Sequence, residues 1–168
     1  MHLPASYLQK RTSASDAMRH VRNGDSIIVP TGVGEPPTLL TALSEQRRNF
    51  QDVKVAQILA VRKYGYFDPE TAHHVRHVAL FLGPASRAGA QAGWVDFIPN
   101  YFSEIPQQIE RGQIPADVVF SMASPMDAHG YFSLSLGADY TMAALAKARA
   151  VVLEVNPNVP FAYGNCLV

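Results

Sequence analysis

The chain has 168 residues, of which 48% are apolar and 17% charged, enough for one globular domain with a real core and too few for two. Fourteen basic and fourteen acidic side chains cancel, so no global field draws in nucleic acid or an anionic membrane. Met1 to Arg11 carries basic residues with no continuous apolar stretch behind them, so neither a secretory signal nor a membrane anchor is read there, and a soluble, cytoplasmic protein is expected. A lone cysteine, Cys166, cannot close an internal disulfide and is read as an inert thiol suited to a reducing compartment.

Ser13 with Asp16 marks a helix start and Asn23-Gly24 a stop, which predicts a short helix over Ala14 to Arg22. Ser26 to Pro30 reads as the first buried strand. Thr31 to Pro37 is a glycine-containing turn that runs into Leu39, Leu40 and Leu43, spaced for one helix face. Further apolar runs predict strands at Val53 to Leu59, Val78 to Leu82, Trp94 to Ile98, Val118 to Ala123, Tyr131 to Leu136 and Val151 to Val155. Helices are predicted at Ala85 to Ala92, Ser103 to Arg111 and Asp139 to Ala148. Strands alternating with helices imply an α/β fold, an open and mainly parallel sheet with helices on both faces. Thirteen residues follow the last predicted strand without a closing helix, so the chain is expected to be shortened.

Chemistry concentrates where apolar runs end. Gly32-Val33-Gly34 offers backbone N–H groups at a helix start, which can hold an anion or a carbonyl oxygen gaining charge, or can simply turn the chain. The loop lacks the third glycine of a dinucleotide fingerprint and the lysine of a P-loop. Glu35 is a candidate nucleophile, but an acid in the first helical turn is explained more simply by the helix dipole. Ser124, Asp127 and His129 lie within six residues of one another. Triad members come from separate elements and no Gly-x-Ser-x-Gly elbow is present, so Asp127 and His129 are read as fixing a turn that can still line a pocket.

His73 and His77 have the spacing that places two imidazoles on one helix face, but a third ligand is lacking. The cluster is therefore read as a solvated, partly helical surface with no metal. Arg87 follows a strand and is either a surface arginine or a contact for an acidic substrate or a ligand phosphate. Asn100, Tyr101 and Asn156 also follow strands, and the asparagines either cap the backbone or meet a ligand. A glycine loop entering a helix can also seat a phosphate, which keeps a sugar-phosphate isomerase or binding protein in view.

Several segments occur in an order and spacing that resembles a known family. They are Asn23-Gly24-Asp25, Gly34-Glu35-Pro36, Leu80 to Gly83 with Arg87, Asp96 to Pro99 with Ser103 to Pro106, Asp117-Val118-Val119 through Asp127 to Tyr131, and Asp139-Tyr140-Thr141. Together they resemble the amino-terminal domain of the acetyl-CoA hydrolase/transferase family, which includes the 4-hydroxybutyrate and butyryl CoA-transferases.

The resemblance implies a two-domain α/β enzyme with its active site between the halves. A glutamate of the second domain would attack an acyl-CoA thioester, and a glutamyl-CoA thioester would carry CoA to an acceptor carboxylate. Water in place of the acceptor would make the same site an acyl-CoA hydrolase. No counterpart of the second domain is seen, so residues 1–168 are expected to be the amino-terminal domain alone, without the nucleophile and without turnover.

Its implied share of the site is Gly32, Val33, Gly34, Glu35, Asn100, Ser124, Asp127, His129, Asn156 and Gly164. Coenzyme A is implied as a substrate and no cofactor as tightly bound. The implied partners are acyl-CoA, small carboxylates and a second domain or subunit, with self-association through the uncovered face. A non-catalytic interaction subunit of the same fold is the alternative. Many members read Met-Pro-Arg-Thr before the glycine of the last loop, whereas this chain has Val159-Pro160-Phe161-Ala162-Tyr163-Gly164, which implies a less polar pocket.

Overall fold

In the computed structural model, which describes residues 5–168 and side chains from Tyr7 onward, six strands form one all-parallel sheet in the order β4-β3-β2-β1-β5-β6. Residues 1–4, part of the amino-terminal segment considered above, lie outside the described residues. The strands are β1 (Ser26–Ile28), β2 (Val53–Gln57), β3 (Val75–Ala79), β4 (Asp96–Phe97), β5 (Val118–Ala123) and β6 (Ala150–Val155). The helices are α1 (Ala5–Lys10), α2 (Ala14–Ala17), α3 (Pro37–Gln46), α4 (Arg87–Ala92), α5 (Ile105–Glu110) and α6 (Thr141–Leu145). None is long and apolar enough to cross a membrane among the described residues.

Alternation along each strand divides the core in two. Ile27, Val29, Val53, Val55 and Phe120 point to one face, where Leu39, Leu40 and Leu43 of α3 and Ala17 of α2 cover them. Ile28, Ala56, Val78 and Val119 point to the other, beneath Ile105 and Ile109 of α5 and Ala144 of α6. Two buried sides explain why the strands read as continuous apolar runs. α2, α3 and α4 lie on the first face and α5 and α6 on the second, so the chain reverses direction across the sheet between β1 and β5. In open parallel sheets ligands bind in a crevice outside the carboxyl ends of the strands that flank such a reversal.

Three expectations are corrected. Tyr131 to Leu136 is not a strand of the sheet; Phe132 and Val168 exchange backbone hydrogen bonds of 2.9 Å, and Ser133 pairs antiparallel with Leu167. The segment is therefore spent on the chain's own end. The third strand begins at Val75, not Val78, and the histidine cluster is not a helical surface. His73 and His74 sit in the turn before β3, where His74 Nδ1 lies 2.6 Å from the Phe50 carbonyl oxygen. His77 is inside β3 and buried, because strand periodicity and not helix periodicity governs here. Among the described residues no group of three or more His, Cys, Asp or Glu is placed to hold a metal ion.

His77 packs against Phe67 and Tyr66, with ring centroids 4.3 and 6.4 Å away, and burial lowers its pKa from 6.5 to about 3. The unfolded chain takes up this proton as pH falls through 6.5, whereas the folded chain resists until about 3. Stability is thus highest above that window and declines within it, by up to about 1.4 kcal/mol per pH unit from this group. Denaturant midpoints measured from pH 7 to 5 should fall less steeply in His77→Leu than in the parent, and equal slopes would contradict the assignment.

Candidate active site

The expected place of that crevice is the carboxyl edge between the segments leaving β1 and β5, which touch each other at Gly34 and Gly137. From β1 the chain passes through Val29, Pro30 and Thr31 into a single 3-10 turn at Gly32–Gly34, and α3 starts only at Pro37. Gly32 N donates to Leu59 O at 3.2 Å and Gly34 N to Thr31 O at 2.9 Å, so two of the three expected donors are already committed. Val33 N has no acceptor among the described residues, and its side chain is 65% exposed.

Glu35 is not in a helical turn, contrary to expectation. Its backbone is extended and it lies two residues before α3. Its carboxylate is buried beneath the turn. Oε1 accepts from Tyr64 Oη at 2.6 Å, and Oε2 accepts from Gln57 Nε2 at 2.9 Å and Val61 N at 3.0 Å. Burial and the nearby Glu35 carboxylate together hold the Tyr64 phenol well above its ordinary range, so Tyr64 remains the donor.

The amino end of α3 is filled as well. Glu154, on β6, accepts from Thr38 N at 2.8 Å, Leu39 N at 3.0 Å and Thr38 Oγ1 at 2.7 Å. A carboxylate here satisfies orphan helix donors and meets the positive end of the dipole. It also removes the phosphate seat on which the sugar-phosphate reading rested. Nothing in the local sequence pointed to Glu154, since it lies 116 residues from Thr38.

Across the crevice, Ser124 is fully buried, and its hydroxyl accepts from Ser133 N at 3.0 Å. Asp127 Oδ1 accepts from His129 N and Tyr131 N, both at 2.9 Å, and these backbone bonds lower its pKa. The two carboxylate contacts are with backbone, so Ser124, Asp127 and His129 form a turn and not a relay. His129 is exposed. Asn100 donates to Leu80 O at 3.0 Å and Ile98 O at 2.6 Å, tying the ends of β3 and β4 together, far across the sheet from β5. Asn156 follows β6 and accepts from Asn158 N at 2.9 Å, while Gly164 is exposed with φ of +111°. Arg87 is exposed, at the start of α4, and donates to Leu82 O at 3.2 Å.

Each of the six loops that leave a strand's carboxyl end presents a large apolar side chain more than half exposed: Val33, Val61, Phe81, Tyr101, Leu136 and Tyr163. These loops set six exposed apolar side chains along the carboxyl edge of the sheet.

The model of the acetyl-CoA hydrolase/transferase N-terminal domain matches residues 1–166. The chain belongs to this family. It is 41% identical over 160 residues to a succinyl-CoA:cyclohexane-1-carboxylate CoA transferase of Geobacter metallireducens, covering 95% of this chain and 36% of that protein. A 4-hydroxybutyrate coenzyme A transferase of Clostridium kluyveri is 31% identical over 162 residues, 96% of this chain and 38% of its own length. The crystal structure of RipA from Yersinia pestis superposes with a TM-score of 0.90 at 26% identity, over 100% of this chain and 42% of that one. The chain thus spans well under half the length of these relatives. The open parallel sheet expected from the sequence is the fold of the family's N-terminal domain.

Glu154→Ala, which leaves Thr38 N, Leu39 N and the Thr38 hydroxyl without their acceptor, should lower stability by about 1–2 kcal/mol. Urea unfolding checks this, and a change below about 0.3 kcal/mol would show that water replaces Glu154 without cost.

Proposed function

We propose that the chain forms one wall of a CoA-transferase active site, as the family's amino-terminal domain, and that a second domain or subunit supplies the nucleophile. The enzyme moves CoA between an acyl-CoA and a carboxylic acid. The observation that carries this reading is the state of the carboxylates around the crevice. Glu35 has donors on both oxygens, and Glu154 likewise. Asp139 accepts from Thr31 N on one oxygen and from Thr141 on the other. A carboxylate whose lone pairs are committed is a poor nucleophile, and Asp127, bonded through Oδ1 alone, is spent on holding its turn, which supports a reacting carboxylate from outside this chain.

The reading assigns the following chemistry. A glutamate of the second half attacks the acyl-CoA carbonyl, the thioester C–S bond breaks, and CoA leaves as thiolate. The resulting acyl-glutamyl anhydride is attacked by that thiolate, which expels the acyl carboxylate and leaves a glutamyl-CoA thioester. The acceptor carboxylate reverses these two steps. Val33 N–H, the free donor at the crevice, stabilises the oxyanion formed on carbonyl attack. The apolar loop tips meet the second half and exclude water, which favours transfer over hydrolysis. Phe161 and Tyr163, whose rings lie 5.1 Å apart, give the last loop an apolar lining.

With butyryl-CoA and acetate, the 168-residue chain should show no exchange, and a fusion to the remainder of the Geobacter metallireducens relative should restore it. Exchange by the chain alone would overturn the proposal. The uncovered edge should also make the isolated chain self-associate, so light scattering should give a dimer or larger species. A monodisperse monomer would count against the edge as a contact face.

A further inference from the structure

Past Ile28 the β1–β2 ladder has an interruption. Val29 N donates to Ala56 O at 3.0 Å, and the parallel pattern then calls for Ile58 N to donate to Val29 O. That rung is replaced. The Tyr140 hydroxyl sits between the two groups, donating to Val29 O at 2.6 Å and accepting from Ile58 N at 3.2 Å. Tyr140 is fully buried, and burial first, then the neighbouring Asp139 charge, push its phenol well above the ordinary range. It therefore stays protonated and keeps its donor.

Two further contacts come from the same segment. Asp139 Oδ2 accepts from Thr31 N at 2.9 Å. Gly137 lies so close to the glycine turn that a Cβ on it would sit 2.7 Å from Gly34 Cα, and a Cβ on Gly34 would sit 2.9 Å from Gly137 Cα. Neither glycine can carry a side chain without moving the other's backbone. Val29, Thr31 and Gly34 are thus each fixed by one residue of the 137–140 segment. Val33, between two of these anchors, makes no such contact of its own.

We infer that Tyr140, with Asp139 and Gly137, is a positioning residue that sets the height and direction of the Val33 N–H at the crevice by holding β1 and β2 apart where the glycine turn departs. The inference rests on the reading of Val33 as the oxyanion donor. Oxyanion stabilisation depends on the donor's aim within tenths of an ångström, so a device that fixes the turn without touching substrate acts on kcat and not on KM.

Amide spectra and hydrogen exchange of the ¹⁵N-labelled 168-residue chain test the geometry without requiring activity. Tyr140→Phe should shift the Gly32–Gly34 amide resonances and speed Val33 exchange by about tenfold or more, while β3 and α5 keep their shifts and protection. Gly137→Ala, which removes no hydrogen bond, should displace the same three resonances. If only Ile58 responds in Tyr140→Phe and the turn is unmoved in Gly137→Ala, the inference is overturned. Should Tyr140→Phe unfold, Gly137→Ala decides by the same criterion.

In the fused enzyme, Tyr140→Phe should lower kcat by about tenfold with KM within about twofold, and an unchanged kcat would also overturn it. An inactive parent fusion would defeat the functional reading, and the amide data would still judge the positioning.

Discussion

Glu35, buried beneath the glycine turn with Tyr64, Gln57 and Val61 on its two oxygens, is the constraint on which the crevice depends. A carboxylate withdrawn from water leaves costly unsatisfied acceptors unless donors reach its oxygens. Here those donors come from the end of β2 and the loop behind it. The turn after β1 and the loop after β2 are thereby pinned to each other from below. Val33 and Val61 are left standing above the pin, both exposed. On the other side of the crevice Asp139 performs the same office for Thr31, and at the helix end Glu154 does so for α3.

The consequence for chemistry is a division of labour. Glu35, Asp139 and Glu154 each tie a backbone segment of this wall to another part of the chain. A wall tied in this way suits the proposed role of presenting one backbone donor. It leaves the reactive group to a surface that can approach across the apolar edge, which is how the proposed second half would enter. The same apolar edge that invites that surface would exclude water once covered.

Much of the fold was legible in the sequence, because strands buried on both faces declare themselves as apolar runs. Six of the seven predicted strands overlap observed ones, the one at β3 only by that strand's last two residues, and the helix start at Ser13 is real, with Asp16 N donating to Ser13 Oγ at 3.0 Å. Two errors share one cause. The start of β3 was hidden by three histidines whose spacing also fits a helix, and Tyr131 to Leu136 has strand-like alternation but finds its partners in the chain's own end. Periodicity reports burial, not which partner supplies it. At the site, the position of Gly32–Gly34 was legible and its hydrogen bonding was not. Glu154, Asp139 and Tyr140 act across more than a hundred residues, on Thr38, Thr31 and Val29, and no local pattern signals such contacts.

In the proposed enzyme the reacting carboxylate lies outside this chain. Peptide mass spectrometry of the fused enzyme, quenched during incubation with butyryl-CoA, locates the covalent CoA directly. A CoA adduct is expected on a glutamate of the second half and none on residues 1–168. An adduct on Glu35, or on any other carboxylate of this chain, would contradict it.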